Sequence, residues 1–381
     1  MFNLHPDLVE FQRKAHEFAQ THVAPRATAI DQSAEYPHDL HRLLVDHDYM
    51  RAIATPLLEP SRFLKRALLI EEIAYASAAV SMIPMVNELG CTPIQLFGSD
   101  RQKQRWLRGV AEGSLFASYG MTEPQAGSDV AALACEARAD GNDFVINGAK
   151  SWICNVQRPG ICIVFATTDP NDKRRGLTAF VVPPDTPGFD ILNAEPTLGL
   201  RGSPTYHFNL NDVRVAREHI LGKPGDGFRI AMMTLSHTRP AVAAQALGIA
   251  RAARDAALAY ARERKSMRQA LIEHQAIGFM LADMEMKIRA ARHLVYEANL
   301  LLGETLGGDA IVTASAKCFA ADTAMQVSSD AVQILGGNGY SKNFPVERFF
   351  RDAKVTQIYE GTNQIQRMVI ARKLATQENS K

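Results

Sequence analysis

Close to its C-terminal end the chain runs Gln357-Ile358-Tyr359-Glu360-Gly361-Thr362-Asn363-Gln364-Ile365-Gln366-Arg367. A carboxylate stands on a glycine-containing turn directly in front of a helical pattern. Thr362 suits the N-cap, because its hydroxyl can accept a backbone N–H, and Ile365, Met368, Val369 and Arg372 follow at helical spacing. Free amides at a helix start carry partial positive charge, which favours an ionised Glu360, and an ionised carboxylate can act as a base. The same residue types also occur at solvated helix starts, so spacing alone leaves both readings open.

Other short motifs precede it. Met121-Thr122-Glu123-Pro124 is followed by Ala126-Gly127-Ser128-Asp129, and Asn147-Gly148 by Lys150, Trp152 and Ile153. Gly199-Leu200-Arg201-Gly202-Ser203 comes next, then Gln333-Ile334-Leu335-Gly336-Gly337-Asn338-Gly339-Tyr340 and Arg351-Asp352-Ala353. The sequence has no Walker loop. The Gly336–Gly339 run is no dinucleotide fingerprint either, since a helix-like stretch precedes it where a strand is required; by itself it reads equally well as a helix C-cap.

The elements that must position these residues fall into three zones, 1–115, 116–225 and 226–381. In the first, Leu8, Phe11, Ala15 and Phe18 share a helical face, Leu68, Ile70, Ile73 and Ala74 begin another, and Pro25, Pro37, Pro56 and Pro60 punctuate the connections. The second holds short strand-like runs, Phe144–Ile146, Ile161–Phe165 and Ala179–Val182. Turn signals separate them at Asp140-Gly141, Asn147-Gly148 and Pro187-Gly188, with Asn147-Gly148 suited to a tight hairpin. In the third, Ile277, Leu281, Met284, Ile288, Ala291, Val295 and Ala298 make one long apolar stripe, and Ala243–Arg262 and Val312–Leu335 are Ala-rich helical runs. The fold class expected is α+β, mostly α: a helical N-terminal domain, a β-domain and a four-helix bundle.

Composition excludes other classes. With 381 residues, 46% hydrophobic, 22% charged and a formal net charge of +1, the chain lacks the basic excess of a nucleic-acid binder. The five cysteines, odd in number and without CxxC spacing, point to free thiols and no metal site. No apolar run reaches a membrane span and residues 1–20 hold no signal-like core, so the expected location is cytoplasmic.

Five motifs in order and in register resemble those of the acyl-CoA dehydrogenases, over most of the chain and least well in the N-terminal third. The resemblance implies FAD bound without a Rossmann domain, and an acyl-CoA dehydrogenated to its trans-2-enoyl thioester. Glu360 would remove the α-proton while FAD accepts the β-hydride, a role no side chain can fill. The Glu360 amide would help to polarise the thioester carbonyl, and a Glu covered by substrate should have a raised pKa.

Residue by residue, Tyr119, Met121, Thr122, Ser128, Trp152, Ile153 and Cys154 match flavin positions, and Thr362 and Gln364 match ribityl or phosphate positions. Arg264, Ser266, His274, Gln275, Gln333, Gly336 and Gly337 match positions that hold the pyrophosphate and adenosine, partly from a neighbouring subunit. Ser128, Ser236, Arg239, Tyr359 and Gly361 match substrate positions. Some branches carry the base immediately before the bundle arginine; here that place is Thr238, which cannot serve. The implied partners are an electron-transfer flavoprotein and further copies of the chain in a homotetramer.

Departures accompany the match. Cys154 stands where the family usually has Thr, Met267-Arg268 replace Phe-Gly, and Gln125 and Val156 replace glycines. The segment from Ala52 to Arg66, which commonly helps roof the acyl cavity, is shortened. Met82, Met85 and Asn87 are expected near the cavity floor or as ordinary packing residues. Three other readings use the same residues: an oxidase that reduces oxygen, a dehydrogenase of a carrier-protein-bound thioester, and a silent thioester-binding member.

Overall fold

The computed structural model describes residues 4–51, 59, 61–305 and 308–376. Among the described residues six α-helices come first: α1 (Pro6–Phe18), α2 (Ala27–Ser33), α3 (His38–Asp46), α4 (Arg62–Ala76), α5 (Ala78–Phe97) and α6 (Asp100–Ala111). Ser77, in extended conformation, breaks α4 from α5, and a Ser99–Gln102 capping box starts α6. Of the shortened segment, 52–58 and 60 lie outside the described residues, Pro56 and Pro60 included. Its end opens α4, where buried Arg66 donates to Glu88 on α5 at 3.1 Å.

Eight strands follow: β1 (Phe116–Gly120), β2 (Glu136–Asp140), β3 (Asp143–Cys154), β4 (Gly160–Thr167), β5 (Leu177–Val182), β6 (Phe189–Ala194), β7 (Thr205–Ala216) and β8 (Ile220–Leu221). They form one mixed sheet in the order β6-β7-β3-β2-β4-β5-β8, with β1 parallel to β4. The apolar run of β4 has no polar alternation because both faces are covered. Ile161, Ile163 and Phe165 pack with the N-terminal helices, while Cys162, Val164 and Ala166 join the sheet's other core around Phe180 and Phe208.

Gly141 does turn the β2–β3 hairpin. Asn147-Gly148 does not make the second hairpin expected from the sequence; it lies inside β3, at a register shift between Ile146 and Gly148. Glycine is required there because Gly148 has φ +152° and a Cβ would lie 2.8 Å from Cys135 Cα.

The chain closes with α7 (Gly227–Glu263), a small hairpin of β9 (Lys265–Ser266) and β10 (Gln269–Ala270), α8 (Gln275–Glu304), α9 (Ala310–Leu335), α10 (Val346–Thr356) and α11 (Asn363–Thr376). The α8 stripe from Leu281 to Ala298 is buried as its period requires. Ala243, Ala250 and Ala257 of α7 and Ala316, Ala320 and Ala324 of α9 are fully buried, and small side chains let these helix axes approach closely. Gly248 allows α7 onto α4. No helix of the described residues is long and apolar enough to cross a membrane.

Candidate active site

Glu360 lies in the turn between α10 and α11, which the Asn363 N–H closes onto Gln357 O at 2.9 Å. Glu360 and Gly361 both take left-handed backbone, φ +52° and +91°. A non-glycine residue in that region is strained by about 1–3 kcal/mol and persists only where its surroundings hold it. Here three elements do so. Arg239 Nε on α7 donates to Glu360 O at 3.2 Å, Lys317 Nζ on α9 to Gly361 O at 2.9 Å, and Gln366 Nε2 on α11 to Gly361 O at 2.9 Å. Thr362 is the N-cap expected, accepting Ile365 N–H at 3.2 Å.

The Glu360 carboxylate accepts the Thr238 hydroxyl at 2.6 Å. Burial raises its pKa, opposed first by that hydrogen bond and then by Arg239, Lys317 and Arg66. Desolvation therefore outweighs that hydrogen bond and the three nearby cations, against the expectation of a favoured ionised form, and the upward direction expected of a covered Glu is present already in the bare fold.

Tyr359 donates to Gln245 Oε1 of α7, whose Nε2 donates to Ser81 Oγ of α5 at 2.9 Å. Met82 joins them, its Sδ 3.9 Å from Tyr359 O–H, and Met85 packs in the same core. Asn87 points elsewhere: it accepts Ala117 N–H at 2.9 Å and ties α5 to β1. Tyr119, at the end of β1, is buried and its hydroxyl meets Met121 Sδ at 3.7 Å.

Beside this turn lies the Cys154 end of β3, where the thiol packs against the helical core and stands 3.1 Å from Thr205 Oγ1. Burial pushes the Cys154 thiol up. Ile153 is core, whereas Trp152 has φ +65° and is 55% exposed, its ring edge-on to His207 at 5.5 Å. The segment from Met121 to Ser128 is fastened from beneath. Lys150 Nζ, fully buried, donates to Glu123 Oε1 at 2.7 Å and Met121 O at 3.2 Å, and Glu123 also accepts the Ala134 and Cys135 amides. Ser128 itself is exposed, Thr122 half-buried, and Gln125 donates to Glu123. Ser236 is half-buried on α7, and Gln364 is exposed in the first turn of α11.

The remaining candidates sit elsewhere. Arg264, Ser266, His274 and Gln275 cluster at the far end of α7, where His274 Nε2 lies 3.2 Å from Ser266 O. Gln333, Gly336 and Gly337 end α9, and Gly336 and Gly337 have open space where a side chain would stand. Arg239 and Arg264 are separated by 25 residues of α7, roughly 37 Å at 1.5 Å per residue. The structure thus brings together Glu360, Tyr359, Gly361, Thr362, Arg239, Cys154 and Tyr119, and leaves the α7–α8 hairpin apart.

Sequence reasoning missed Lys317, and took Thr238 only as a residue that cannot be the base. A lone lysine among Ala314, Ala321 and Ala324, which share its helical face, is the signal that marks Lys317 as buried.

Comparison with known proteins gives three matches in chain order. They are an acyl-CoA dehydrogenase N-terminal domain over residues 5–114, a middle domain over 118–213 and a C-terminal domain over 225–375. The chain is 42% identical to the probable acyl-CoA dehydrogenase fadE25 of Mycobacterium leprae, over 98% of this chain and 97% of that one. Butyryl-CoA dehydrogenase from Megasphaera elsdenii superposes with a TM-score of 0.92 at 38% identity, covering 98% of this chain and 100% of that one. A glutaryl-coenzyme A dehydrogenase in complex with glutaryl-CoA gives 0.95 at 32% identity, covering 100% and 98%.

Proposed function

The chain belongs to the acyl-CoA dehydrogenase family, and from that premise we propose that it oxidises the Cα–Cβ bond of an acyl-CoA with Glu360 as the base. One observation carries this reading: the Glu360 carboxylate sits on a strained turn held from three sides, 2.6 Å from Thr238 Oγ1. Half-buried, with desolvation raising its carboxyl against the Thr238 hydrogen bond and nearby cations, it is poised to take up a proton and keep it briefly. Arg239, one residue on from Thr238, fixes the Glu360 carbonyl and so the direction of the side chain.

The residues present fit FAD, which when bound would supply the hydride acceptor. The half-exposed Trp152 ring offers a wall for a flat ring, and the Gly127, Gly336 and Gly337 backbones stand open to close approach. Met121, Thr122, Ser128, Trp152, Ile153, Cys154, Thr362 and Gln364 would hold the flavin half. The hairpin residues Arg264, Ser266, His274 and Gln275, with Gln333, Gly336 and Gly337, would hold the distal half. The separation along α7 is too long for one chain to bring both ends of that helix to one cofactor, which supports a second copy contributing its hairpin within a homotetramer. An electron-transfer flavoprotein would reoxidise the enzyme.

The test is anaerobic titration of the flavin-loaded protein with short, medium and branched acyl-CoAs. Bleaching by one class, abolished in Glu360→Gln with flavin retained, supports the reading. Near-normal bleaching in Glu360→Gln sinks it.

A further inference from the structure

Lys317 is fully buried on α9, between alanines of the same helical face. Its ammonium donates to Gly361 O at 2.9 Å and Asn363 Oδ1 at 3.0 Å, both neutral acceptors. Among the described residues it has no carboxylate within ion-pair distance. A buried cation without an ion pair is costly, so a fold keeps one only where its position is needed. Both of its acceptors belong to the segment that carries Glu360.

The acceptors are themselves locked. Asn363 Nδ2 donates to Cys318 O at 3.1 Å and to Asp322 Oδ1 at 2.7 Å, and Gln357 Nε2 donates to the same Asp322 oxygen at 2.6 Å. Arg367 of α11 pairs with Asp322 at 2.7 Å. The stretch of α9 from Lys317 to Asp322 therefore grips both ends of the 357–363 turn.

We propose that Lys317 is a positioning residue for the base: it pins the Gly361 carbonyl, and so the left-handed pair that aims Glu360, while its charge favours the ionised carboxylate. This rests on Glu360 being the base. The groups facing Lys317 are Arg239 on α7, Cys318 and Asp322 on α9, and Glu360 and Asn363 on the turn and α11, with Arg367 paired to Asp322, Tyr359 beside Glu360 and Arg66 on α4 acting on the same carboxylate. Burial pushes Lys317 down to about 8, while the Cys318 thiol and Tyr359 are raised and Asp322 is lowered. Loss of the Lys317 proton should therefore give the rate of flavin bleaching an alkaline limb near 8.

The experiment compares wild type, Lys317→Met, Lys317→Arg and Glu360→Gln as flavin-loaded proteins. It reads bleaching rate against substrate concentration and pH, and hydrogen exchange across residues 357–366. Lys317→Met should slow bleaching at saturating substrate by about tenfold or more, the loss of one hydrogen bond from a charged donor. Its acid limb should move to higher pH and the turn should exchange faster. Lys317→Arg should recover most of the rate and lose the alkaline limb.

A Lys317→Met enzyme with the wild-type rate and acid limb overturns the proposal, as does one slowed at every pH alike and not rescued by Arg. If Lys317→Met does not fold, the limb decides: one unchanged between wild type and Lys317→Arg overturns it. An active Glu360→Gln would overturn the base assignment instead.

Discussion

The Thr238 hydroxyl lies 2.6 Å from Glu360 Oε2 and 3.2 Å from the Thr234 carbonyl. A hydroxyl has one proton and two acceptor sites. Facing an ionised Glu360 it donates to the carboxylate. Facing a protonated Glu360 it can accept the new proton's hydrogen bond and turn its own toward Thr234 O. The residue that occupies the alternative base position thus serves both protonation states of Glu360.

Replacing Thr238 by the isosteric valine should therefore raise the Glu360 pKa further and slow flavin bleaching by roughly 10- to 100-fold, the worth of a hydrogen bond to a charged acceptor. Thr238→Ser should stay within a few-fold of wild type. Stopped-flow bleaching measures both, and an unslowed Thr238→Val removes the hydroxyl from the mechanism.

Glu360 also links function to stability. Its folded pKa is raised above the ordinary 4.5, so its contribution to stability is complete below the unfolded value and is lost as pH rises through the folded one. The proposed base must be ionised to act, so the bleaching rate should climb over the same window in which the ligand-free fold weakens. Glu360→Gln should melt above wild type near neutral pH and level with it in acid. Equal melting at both pH values would contradict the raised pKa.

Asp352 presents the same sign away from Glu360. It is buried on α10, accepts the Leu200 N–H at 2.7 Å, and is pushed up to about 6 by burial. From the ordinary 3.8 that shift corresponds to roughly 3 kcal/mol at most, present in acid and lost as pH rises through 6. Asp352→Asn keeps an acceptor for Leu200 and should be more stable than wild type above pH 6 but not below 3.8. Urea unfolding in the two ranges tests this, and equal destabilisation in both would refute it.

Gly248→Ala sets two effects against each other. Alanine gains about 1 kcal/mol in helix propensity. The added Cβ, however, would lie 2.4 Å from Glu71 O and 2.8 Å from Ala74 Cβ, so α7 and α4 must part. Overpacking of about 1–3 kcal/mol should win, because the nearest atom is backbone. A lowered urea midpoint is expected; a raised one would mean the helices separate freely.

What the sequence determined by itself is local. The α8 stripe, the Thr362 cap and the uninterrupted apolar run of β4 follow from periodicity and capping, which depend on residues a few positions apart, and they settle the three-part architecture. The resemblance to the acyl-CoA dehydrogenases, carried by motifs in order, marked Glu360, Arg239 and Trp152 as the residues to watch.

Only the tertiary structure decided what surrounds them. Thr238 is 122 positions from Glu360, and Lys317 is 44 from Gly361. Asn147-Gly148 read as a hairpin because its composition suits positive φ, yet the close approach of Cys135 makes it a bulge. The sign of the Glu360 shift likewise followed from burial, which outweighed the Thr238 hydrogen bond and the charges of Arg239, Lys317 and Arg66, groups distant in sequence. Such outcomes depend on which distant segments exclude water and supply donors, and a pattern read along the chain does not contain that information until the chain has folded.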